Sequence, residues 1–458
     1  MLNLTDLSHG LIEKYNVQGP RYTSYPTALK LGLVSDKIGF KESLKKQTAV
    51  PGNISLYFHI PFCYSLCWYC GCTKVITKDR DTGDLYLDYL KKETGMVRDL
   101  IYPGAEVSQI HFGGGTPTFL SPGQLYKLGD IIHSSFHLDD SPEFGVEIDP
   151  RRCTEDHIRA LAGIGCNRAS IGVQDTNAEV QKAIHRIQPH NRNLEVVGWL
   201  RKYGIESLNA DLIYGLPKQT TETFGRTLDD VCELKPDRLA VYSYAHLPSR
   251  MPSQRLISDE DLPKAAEKAQ MMLLAVDELE SRGYNYIGMD HFSAKNDGLS
   301  RALQNGTLQR NFQGYSTCAN TKMFGFGISS ISQAGDYFWQ NEKKLEKYYQ
   351  LIDSGEWPVT AMMRRTEDDR IRNSIIMKIM CKPEINLKAF GEEFGIYFYE
   401  SFADEYNRLK ELESDGLIRL NGDVLKITRT GRLFLRNIAM IFDGYLHQEA
   451  RRRYSKTV

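Results

Sequence analysis

Short apolar segments alternate with longer amphipathic segments from residue 55 to about residue 290. Each apolar segment is rich in Ile, Val, Phe or Tyr, and this combination favours β-strands over short buried helices. The predicted strands occupy residues 55–60, 108–112, 144–148, 168–173, 207–214 and 238–244.

The amphipathic segments between these strands predict helices. They occupy residues 84–101, 121–136, 154–163, 176–203 with a break near Pro189, 220–234 and 260–283. Apolar strands that alternate with helices indicate a parallel β/α arrangement. Six such units are fewer than the eight of a closed TIM barrel, so we predict an α/β fold with a partial (β/α)6 TIM-like barrel. A doubly wound open sheet is the alternative, and in both architectures catalytic groups belong at the carboxyl ends of the strands.

The segments that flank the predicted barrel differ from it in pattern. Residues 1–50 contain GPRYTSYPTA, which is too dense in Gly, Pro, Ser and Thr for a regular element, and we predict an N-terminal arm or lid with one or two short helices. Residues 51–365 form the predicted catalytic domain with an extension. Residues 366–458 predict a smaller, mainly helical domain, in which a helix capped by Thr366, a second helix, a hairpin turning at residues 421–422 and a closing helix resemble a winged-helix module.

The composition narrows the classes of function. The chain has 57 basic and 58 acidic residues and a net charge of −1, so it has no protein-wide basic field for nucleic acid, and we expect the winged-helix-like module to be structural. No apolar run approaches the ~18–20 residues of a membrane-spanning helix. The first residues lack the basic segment and apolar core of a secretory signal, so we expect a cytoplasmic protein with no membrane span. An odd number of cysteines, nine, argues against a disulfide framework.

Four of the cysteines lie within residues 63–72, directly after the first predicted strand. Cys63, Cys67 and Cys70 have the x3 and x2 spacing with which a loop can bind a [4Fe–4S] cluster through thiolates. Three ligands leave one iron open, and the amino and carboxylate groups of a methionine moiety can chelate it. An electron from the cluster then breaks the sulfonium C–S bond of S-adenosylmethionine (SAM) and leaves a 5′-deoxyadenosyl radical. We therefore predict that these three cysteines are both the metal ligands and the source of the catalysis.

Two other uses of cysteine are disfavoured by the spacing. A structural zinc site needs four ligands, commonly two separated CxxC pairs, and no second pair exists here. A thioredoxin-like redox pair would use CxxC alone and would not need Cys63. Cys72 is the nearest candidate for a fourth ligand, but a fourth thiolate would close the open iron, so we expect Cys72 to lie nearby without binding the cluster.

Polar and glycine residues at later strand ends suggest a binding site beside this cluster. The second strand runs into three glycines and Thr116, and such glycines let the backbone approach a ligand closely. Acidic and amide side chains, which suit a ribose diol or an ammonium group, close the third strand, follow the fourth and lie on the fifth just ahead of residues 213–217. They are Glu147, Gln174 and Asp211, and Arg186, which we place in the helix after the fourth strand, could face a carboxylate.

At these residues the chain resembles the radical SAM superfamily, and more closely the oxygen-independent coproporphyrinogen III oxidases of bacterial haem synthesis. The resemblance spans nearly the whole chain. A CGC ending of the cysteine motif and the RYTSYPT arm are typical of these oxidases, whereas related haem chaperones carry an aromatic residue in place of the last cysteine and lack the arm. The motifs that carry it are GPRYTSYPTAL, YFHIPFCYSLCWYCGC, HFGGGTPT, VEIDPR, GVQD, DLIYGLPKQT, YAHLP, YIGMDHF, RNFQGY and RNIAMIFD.

The resemblance implies a particular reaction and its cofactors. It implies a [4Fe–4S] cluster, two SAM molecules beside it, an electron donor such as flavodoxin or ferredoxin, and a monomeric enzyme. The propionates on rings A and B of coproporphyrinogen III would become vinyl groups with release of CO2, giving protoporphyrinogen IX. The implied SAM contacts are Tyr57, Tyr69, Gly114, Gly115, Thr116, Glu147, Gln174, Arg186, Asp211, Ala245 and Ile331.

Two features leave alternatives open. Arg21, with Tyr22 and Tyr25, is a candidate lid that could reach a tetracarboxylate substrate, and the alternative is an arm that only packs against the barrel. Asn320 and Lys322 depart from the family pattern, which has an acidic residue in place of Lys322. The competing functions are a haem chaperone that retains the cluster without turnover, and a radical SAM enzyme acting on another tetrapyrrole, such as a methyltransferase.

Overall fold

A mixed sheet of thirteen strands runs through the computed structural model, which describes residues 9–34, 36–318, 321–446 and 454–457. Six parallel strands form its centre, and each corresponds to a strand that the apolar pattern predicts. These are β1 Ile54–Ile60, β2 Glu106–Gly114, β3 His137–Ile148, β4 Arg168–Gln174, β5 Ser207–Tyr214 and β6 Arg238–Ser243.

The spatial order of the six strands is the same as their order along the chain. A doubly wound sheet would reverse direction at a switch point, so the topology rules out that alternative and confirms the partial (β/α)6 barrel. The predicted interruption at Pro189 is also confirmed, because one helix ends at Ala183 and the next begins at His190. The helices around the sheet are Asp81–Arg98, Pro122–Ser135, Glu155–Gly163, Ala178–Ala183, His190–Lys202, Thr221–Glu233 and Ala265–Ser281.

Shorter strands extend the sheet on both sides of the six. Beyond β6 lie two antiparallel strands, β7 Tyr284–Gly288 and β8 His291–Ala294, with β8 next to β6. Beyond β1 the next strand is parallel and the rest are antiparallel, and Gly32–Leu33 forms the edge. The strands on this side are β9 Lys322–Phe326, β10 Ile331–Ala334, β11 Tyr337–Asn341 and β12 Val359–Arg364.

Side chains on one face of the strands form the hydrophobic core, and those on the other face line the barrel interior. Phe58 stacks on Phe326 with ring centroids 4.8 Å apart, and Phe112 meets Phe144 edge to face at 4.9 Å. All four rings are buried, and each contributes roughly 1.5–3 kcal/mol of hydrophobic stabilisation. Since side chains alternate between the faces of a strand, residues adjacent to these phenylalanines, such as Tyr57, point to the barrel interior. The apolar layer thus supports the side chains that line the site.

The C-terminal part contains the predicted helix–hairpin–helix arrangement. Its first helix, Glu367–Cys381, begins with a capping box in which Thr366 accepts from the Asp369 amide and Asp369 accepts from the Thr366 amide. The predicted hairpin is present, and a third strand pairs with it. The elements are strands Glu384–Asn386, Ile418–Asn421 and Val424–Ile427, and helices Leu387–Phe394, Phe398–Ser401, Ala403–Ser414, Arg429–Leu433 and Leu435–Ala439.

The N-terminal arm packs between the barrel and the C-terminal part. The hydroxyl of Tyr22 donates to Asp443 at 2.9 Å, and the amide of Gly444 donates to the hydroxyl of Tyr25 at 3.0 Å. Both tyrosines are buried, so their position is that of a packed arm and not of an exposed lid. The remaining helices outside the C-terminal part are His9–Tyr15, Lys37–Thr48, Gly298–Gln304 and Leu345–Asp353.

No helix in the described ranges combines the length and the apolar character that a membrane crossing requires.

Candidate active site

The cysteine motif lies on a loop that leaves the carboxyl end of β1. Cys63 ends a two-residue strand that pairs in parallel with Val75–Ile76, so the chain returns beside its own starting point. The ammonium of Lys74 donates to the carbonyls of Cys70 at 3.1 Å and Cys72 at 3.2 Å. The backbone pairing and the hydrogen bonds of Lys74 lie within the loop and therefore fix its conformation.

Cys67 lies against two guanidinium groups. Arg151 Nη2 is 3.3 Å from its Sγ and Arg186 Nη1 is 3.6 Å away. Asp149 pairs with both arginines, at 2.6 Å and 3.0 Å, and although burial alone would raise the pKa of this carboxyl, Arg186 and Arg151 hold it well below its ordinary value. Cationic donors beside a sulfur favour the thiolate form that binds iron. The charged groups of Arg151, Arg186 and Asp149 therefore surround a sulfur that is suited to bind a cluster.

The other cysteines of the loop differ in their protonation. Burial raises the pKa of the Cys63 thiol to about 11. A hydrogen bond from Cys72 lowers the pKa of Cys70, and the same interaction raises the pKa of Cys72. Cys63 is therefore a thiol at neutral pH in the absence of iron, and its binding to a cluster would release a proton.

The three thiols of the motif lie on one loop and act on one another electrostatically. Among the residues that the structure describes, no three His, Cys, Asp or Glu side chains converge as the ligands of a single metal ion would. The ligands of a [4Fe–4S] cluster bind different irons at separate corners of a cubane. The three sulfurs, the loop geometry and the neighbouring guanidiniums fit such a cluster on Cys63, Cys67 and Cys70.

The glycine run at the end of β2 approaches this loop closely. A Cβ on Gly115 would lie 2.5 Å from the carbonyl oxygen of Pro61, so a side chain here requires the backbone to move. Gly114 has φ of +113°, where side chains are strained. Thr116 Oγ1 lies 3.3 Å from the Sγ of Cys63. The run is thus in direct contact with the first cysteine of the motif.

Two partly exposed carboxylates extend the site along the barrel interior, and their pKa values shift in opposite directions. Burial favours a neutral Glu147, but His111 and the Gly114 amide bind its oxygens, at 3.3 Å and 3.2 Å, and lower its pKa. Burial raises the pKa of Asp211 to about 6, although Ser170 donates to it at 2.7 Å. At neutral pH both groups are ionised acceptors for a hydroxyl or ammonium donor.

A chain of polar contacts fixes Tyr57 and His59 beneath the loop. His59 Nε2 lies 3.0 Å from the Thr73 carbonyl, which can only accept, so this nitrogen carries the proton. Its Nδ1 therefore accepts from the Tyr57 hydroxyl at 3.1 Å. Burial lowers the pKa of His59, which is consistent with a neutral ring. The ring of Tyr57 stacks on His111 with centroids 6.1 Å apart.

The structure brings most of the predicted SAM contacts to one end of the barrel, where they line adjoining cavities. A cavity of about 400 Å³ is lined by Tyr57, Gly114, Glu147 and Ile331, together with Cys72. Asp211 lines a smaller cavity that shares Glu147.

Ala245 faces a third cavity. The Gln254 side chain donates to the carbonyls of both Tyr69 and Ala245, at 3.0 Å and 3.1 Å, and so joins the cysteine loop to the end of β6. Gln174 ends β4 with φ of +69°.

One placement from the sequence is wrong. Arg186 lies in the loop after the helix Ala178–Ala183 and not within a helix. Its guanidinium donates to Asp149, to the sulfur of Cys67 and to the carbonyl of Gly172, the last at 2.7 Å.

Several site residues were missed by the sequence reading. Asp149 and Arg151 follow Glu147 at the end of β3, and their position after a predicted strand was an available signal. His59 and His111 alternate with buried phenylalanines, and that alternation also pointed to the interior face.

Comparison with known proteins agrees with this geometry. A model of the radical SAM superfamily matches residues 57–231, which include the end of β1, the cysteine loop and β2 to β5. A model of the HemN C-terminal domain matches residues 366–434.

Curated relatives match over the whole chain. The chain is 43% identical over 460 residues to the oxygen-independent coproporphyrinogen III oxidase of Pseudomonas aeruginosa, covering 100% of both proteins. It is 40% identical over 454 residues to the enzyme of the same name from Escherichia coli K12, covering 99% of both. A solved structure of coproporphyrinogen III oxidase (HemN) from Escherichia coli, described as a radical SAM enzyme, matches with a TM-score of 0.89 and 39% identity, over 94% of this chain and 100% of that one.

Proposed function

The chain belongs to the family of oxygen-independent coproporphyrinogen III oxidases of the radical SAM superfamily, and on this premise we propose how its residues carry out the reaction. The reaction is the oxidative decarboxylation of the ring A and B propionates of coproporphyrinogen III, which gives protoporphyrinogen IX. Each propionate loses one β-hydrogen atom to a 5′-deoxyadenosyl radical, then CO2, and one electron to an external acceptor.

The observation that carries the proposal is the contact between the cysteine loop and the glycine run. Cys63 and Thr116 meet at 3.3 Å, so a cluster ligand and a backbone shaped for close approach share one end of the barrel. When bound, a [4Fe–4S] cluster supplies the electron that cleaves the sulfonium bond of SAM.

The residues of the chain have separate parts in this scheme. Asp149 orients Arg151 and Arg186 toward Cys67, and the two guanidiniums donate to its sulfur. Glu147 presents an ionised carboxylate at the glycine run, where an ammonium group of SAM would bind. Asp211, ionised above about pH 6, is a suitable acceptor for a ribose diol.

The SAM contacts themselves are part of the proposal. Four of them already line one cavity beside Cys72, and this supports one SAM position. Tyr69 and Ala245 are joined through Gln254 at a neighbouring position, which supports a second SAM molecule. The proposed contacts are Tyr57, Tyr69, Gly114, Gly115, Thr116, Glu147, Gln174, Arg186, Asp211, Ala245 and Ile331.

We also propose the organisation and setting of the enzyme. The chain divides into an arm at 1–50, a catalytic domain at 51–365 and a C-terminal domain at 366–458. We propose a cytoplasmic monomer that receives electrons from a flavodoxin or ferredoxin. The reducing cytoplasm suits a protein whose catalytic cysteines must stay reduced in order to bind a cluster.

One anaerobic assay tests the function. The reconstituted enzyme is supplied with SAM, a reductant and coproporphyrinogen III, and the products are oxidised and separated. We expect fluorescent protoporphyrin together with 5′-deoxyadenosine. Cleavage of SAM without decarboxylated porphyrin would favour a radical enzyme for another tetrapyrrole, and the absence of SAM cleavage would favour a haem chaperone.

A further inference from the structure

The cavity that Ala245 faces has a volume of about 310 Å³ and lies at the carboxyl ends of β5 and β6. We call it the rim cavity. Its walls come from β5, β6, the helix Ala265–Ser281, the N-terminal arm and the C-terminal part. Its volume is at the low end of small-molecule sites, so it suits the edge of a ligand more than a whole macrocycle.

The charged residues of the rim cavity are mostly basic. Among its described lining residues, Arg21, Lys268, Arg436 and Lys456 face a single carboxylate, Asp290. That carboxylate is already paired, because Arg21 donates to it at 2.6 Å. An excess of cations in a partly closed space is unfavourable without a compensating anion.

Lys268 is held across the rim of the barrel. Its aliphatic stem lies over Gly215 at the end of β5, where a Cβ would come within 2.6 Å of Lys268 Cε. Its ammonium donates to the Tyr244 carbonyl at 3.0 Å, which uses one of three N–H donors. No described carboxylate pairs with it, and burial, followed by repulsion from Lys456 and Arg21, lowers its pKa to about 8. The lysine is thus positioned with donors to spare.

Arg436 and Arg21 complete the cationic wall. Arg436 is buried and donates to backbone carbonyls of the arm and of the C-terminal tail, including Pro20 at 3.0 Å and Lys456 at 2.9 Å. No described carboxylate forms a salt bridge with it, and carbonyl oxygens are the main acceptors of its donors. Arg21 lies over the ring of Tyr242 at 5.3 Å, and Tyr242 lines the cavity next to Glu147. The rim cavity therefore adjoins the proposed reaction site.

We propose that the rim cavity binds the propionate carboxylates that the reaction leaves intact, with Lys268 as their ammonium ligand. This inference rests on the proposed function. Coproporphyrinogen III has four propionates, and those on rings C and D are carboxylates in substrate and product alike. The cationic side chains suit these anions, and they hold the macrocycle by one edge while the other edge faces the radical.

The test compares Lys268→Met with Lys268→Arg and with Lys264→Met. Lys264 precedes the same helix, and its side chain is exposed and has no described contact. The reconstituted holoenzyme is assayed with coproporphyrinogen III and SAM. Since a hydrogen bond to a charged group contributes the equivalent of about tenfold or more in affinity, we expect Lys268→Met to raise KM for the porphyrinogen about 10- to 100-fold. KM for SAM and kcat should change little, Lys268→Arg should restore most of the affinity, and Lys264→Met should match the parent protein.

Binding of coproporphyrin III and of its tetramethyl ester separates charge recognition from packing. Lys268→Met should weaken binding of the tetra-acid and leave binding of the ester unchanged. The proposal is overturned if the variant matches Lys264→Met, if both porphyrins lose affinity equally, or if KM for SAM rises with that of the porphyrinogen. Failure of the proposed function would instead appear in the parent enzyme, as an absence of decarboxylated product.

Discussion

Cys63 Sγ and Thr116 Oγ1 lie 3.3 Å apart, so the side chain at the end of the glycine run is a hydrogen-bond partner of the first cluster ligand. Hydrogen bonds to ligand sulfurs are one of the factors that set the potential of an iron–sulfur cluster. We predict that Thr116→Val, which keeps the shape and removes the hydroxyl, retains the cluster, lowers its reduction potential and slows SAM cleavage. A redox titration followed by electron paramagnetic resonance measures the shift.

Thr118→Val is the matched control for this change. Thr118 is also buried, and its hydroxyl has no described partner, so its replacement should leave the potential unchanged. Equal potentials in both variants and the parent would show that the Thr116 hydroxyl does not act on the cluster.

Gly115→Ala should disrupt the glycine run. The new Cβ would lie 2.5 Å from the Pro61 carbonyl, a backbone atom that cannot rotate away. We expect a loss of about 1–3 kcal/mol in the free energy of unfolding and a large loss of SAM affinity. Gly123→Ala is the control, because nothing lies within 4 Å of its Cβ in a helix and it should stabilise by about 0.5–1 kcal/mol. Calorimetry of SAM binding that finds equal affinities for the two variants would contradict the prediction.

Features that depend on residues close together in the sequence could be predicted, whereas features that depend on contacts between distant residues could not. The six parallel strands and the cysteine loop are local patterns, and they could be read directly. The strands β7 to β12 are short and flank the six central strands, so their apolar pattern is weak. The docking of the arm was beyond prediction, because the bond from Arg436 to the Pro20 carbonyl joins residues 416 positions apart. The rim cavity could not be predicted for the same reason, because its lining residues come from segments that are far apart in the sequence.

Glu93 should make the stability of the protein depend on pH. It is buried and accepts from the Gly327 amide at 2.7 Å and the Tyr348 hydroxyl at 2.6 Å, yet burial raises its pKa from 4.5 to about 7. The folded state therefore binds an extra proton between these values, and the contribution to stability is lost as pH rises through this window. The loss is at most about 3 kcal/mol.

Glu93→Gln removes this titration. In thermal unfolding between about pH 5 and pH 8, the stability of the parent protein relative to the variant should fall as pH rises. A difference between the two proteins that stays constant with pH would show that Glu93 does not titrate in this range.

Serine substitutions in the cysteine loop test the three-ligand assignment. Cys63→Ser, Cys67→Ser and Cys70→Ser should each abolish the visible absorbance of the reconstituted cluster or its bleaching by reductant. Cys72→Ser should retain both, because its thiol is exposed and donates to Cys70 in the structure. Loss of the cluster in Cys72→Ser would make it a fourth ligand, and the open iron that SAM requires would then not exist.

Lys322, which departs from the family pattern, should not alter substrate choice, whereas Asn320 lies outside the described residues. The ammonium of Lys322 donates to the Val50 carbonyl at 2.8 Å, and the residue lies opposite Ile54, at the amino end of β1. The cysteine loop lies past Ile60 at the other end, about 20 Å away at the rise of a β-strand, and the nearest proposed SAM contact on β1, Tyr57, is about 10 Å away. We therefore expect Lys322→Ala to leave KM for porphyrinogen and SAM unchanged and to cost about 1 kcal/mol or less in stability. Lys347→Ala, at an exposed lysine without described contacts, is the control. A raised KM or a changed product in Lys322→Ala alone would mean that this lysine acts on the substrate, and would reopen the assignment to another tetrapyrrole.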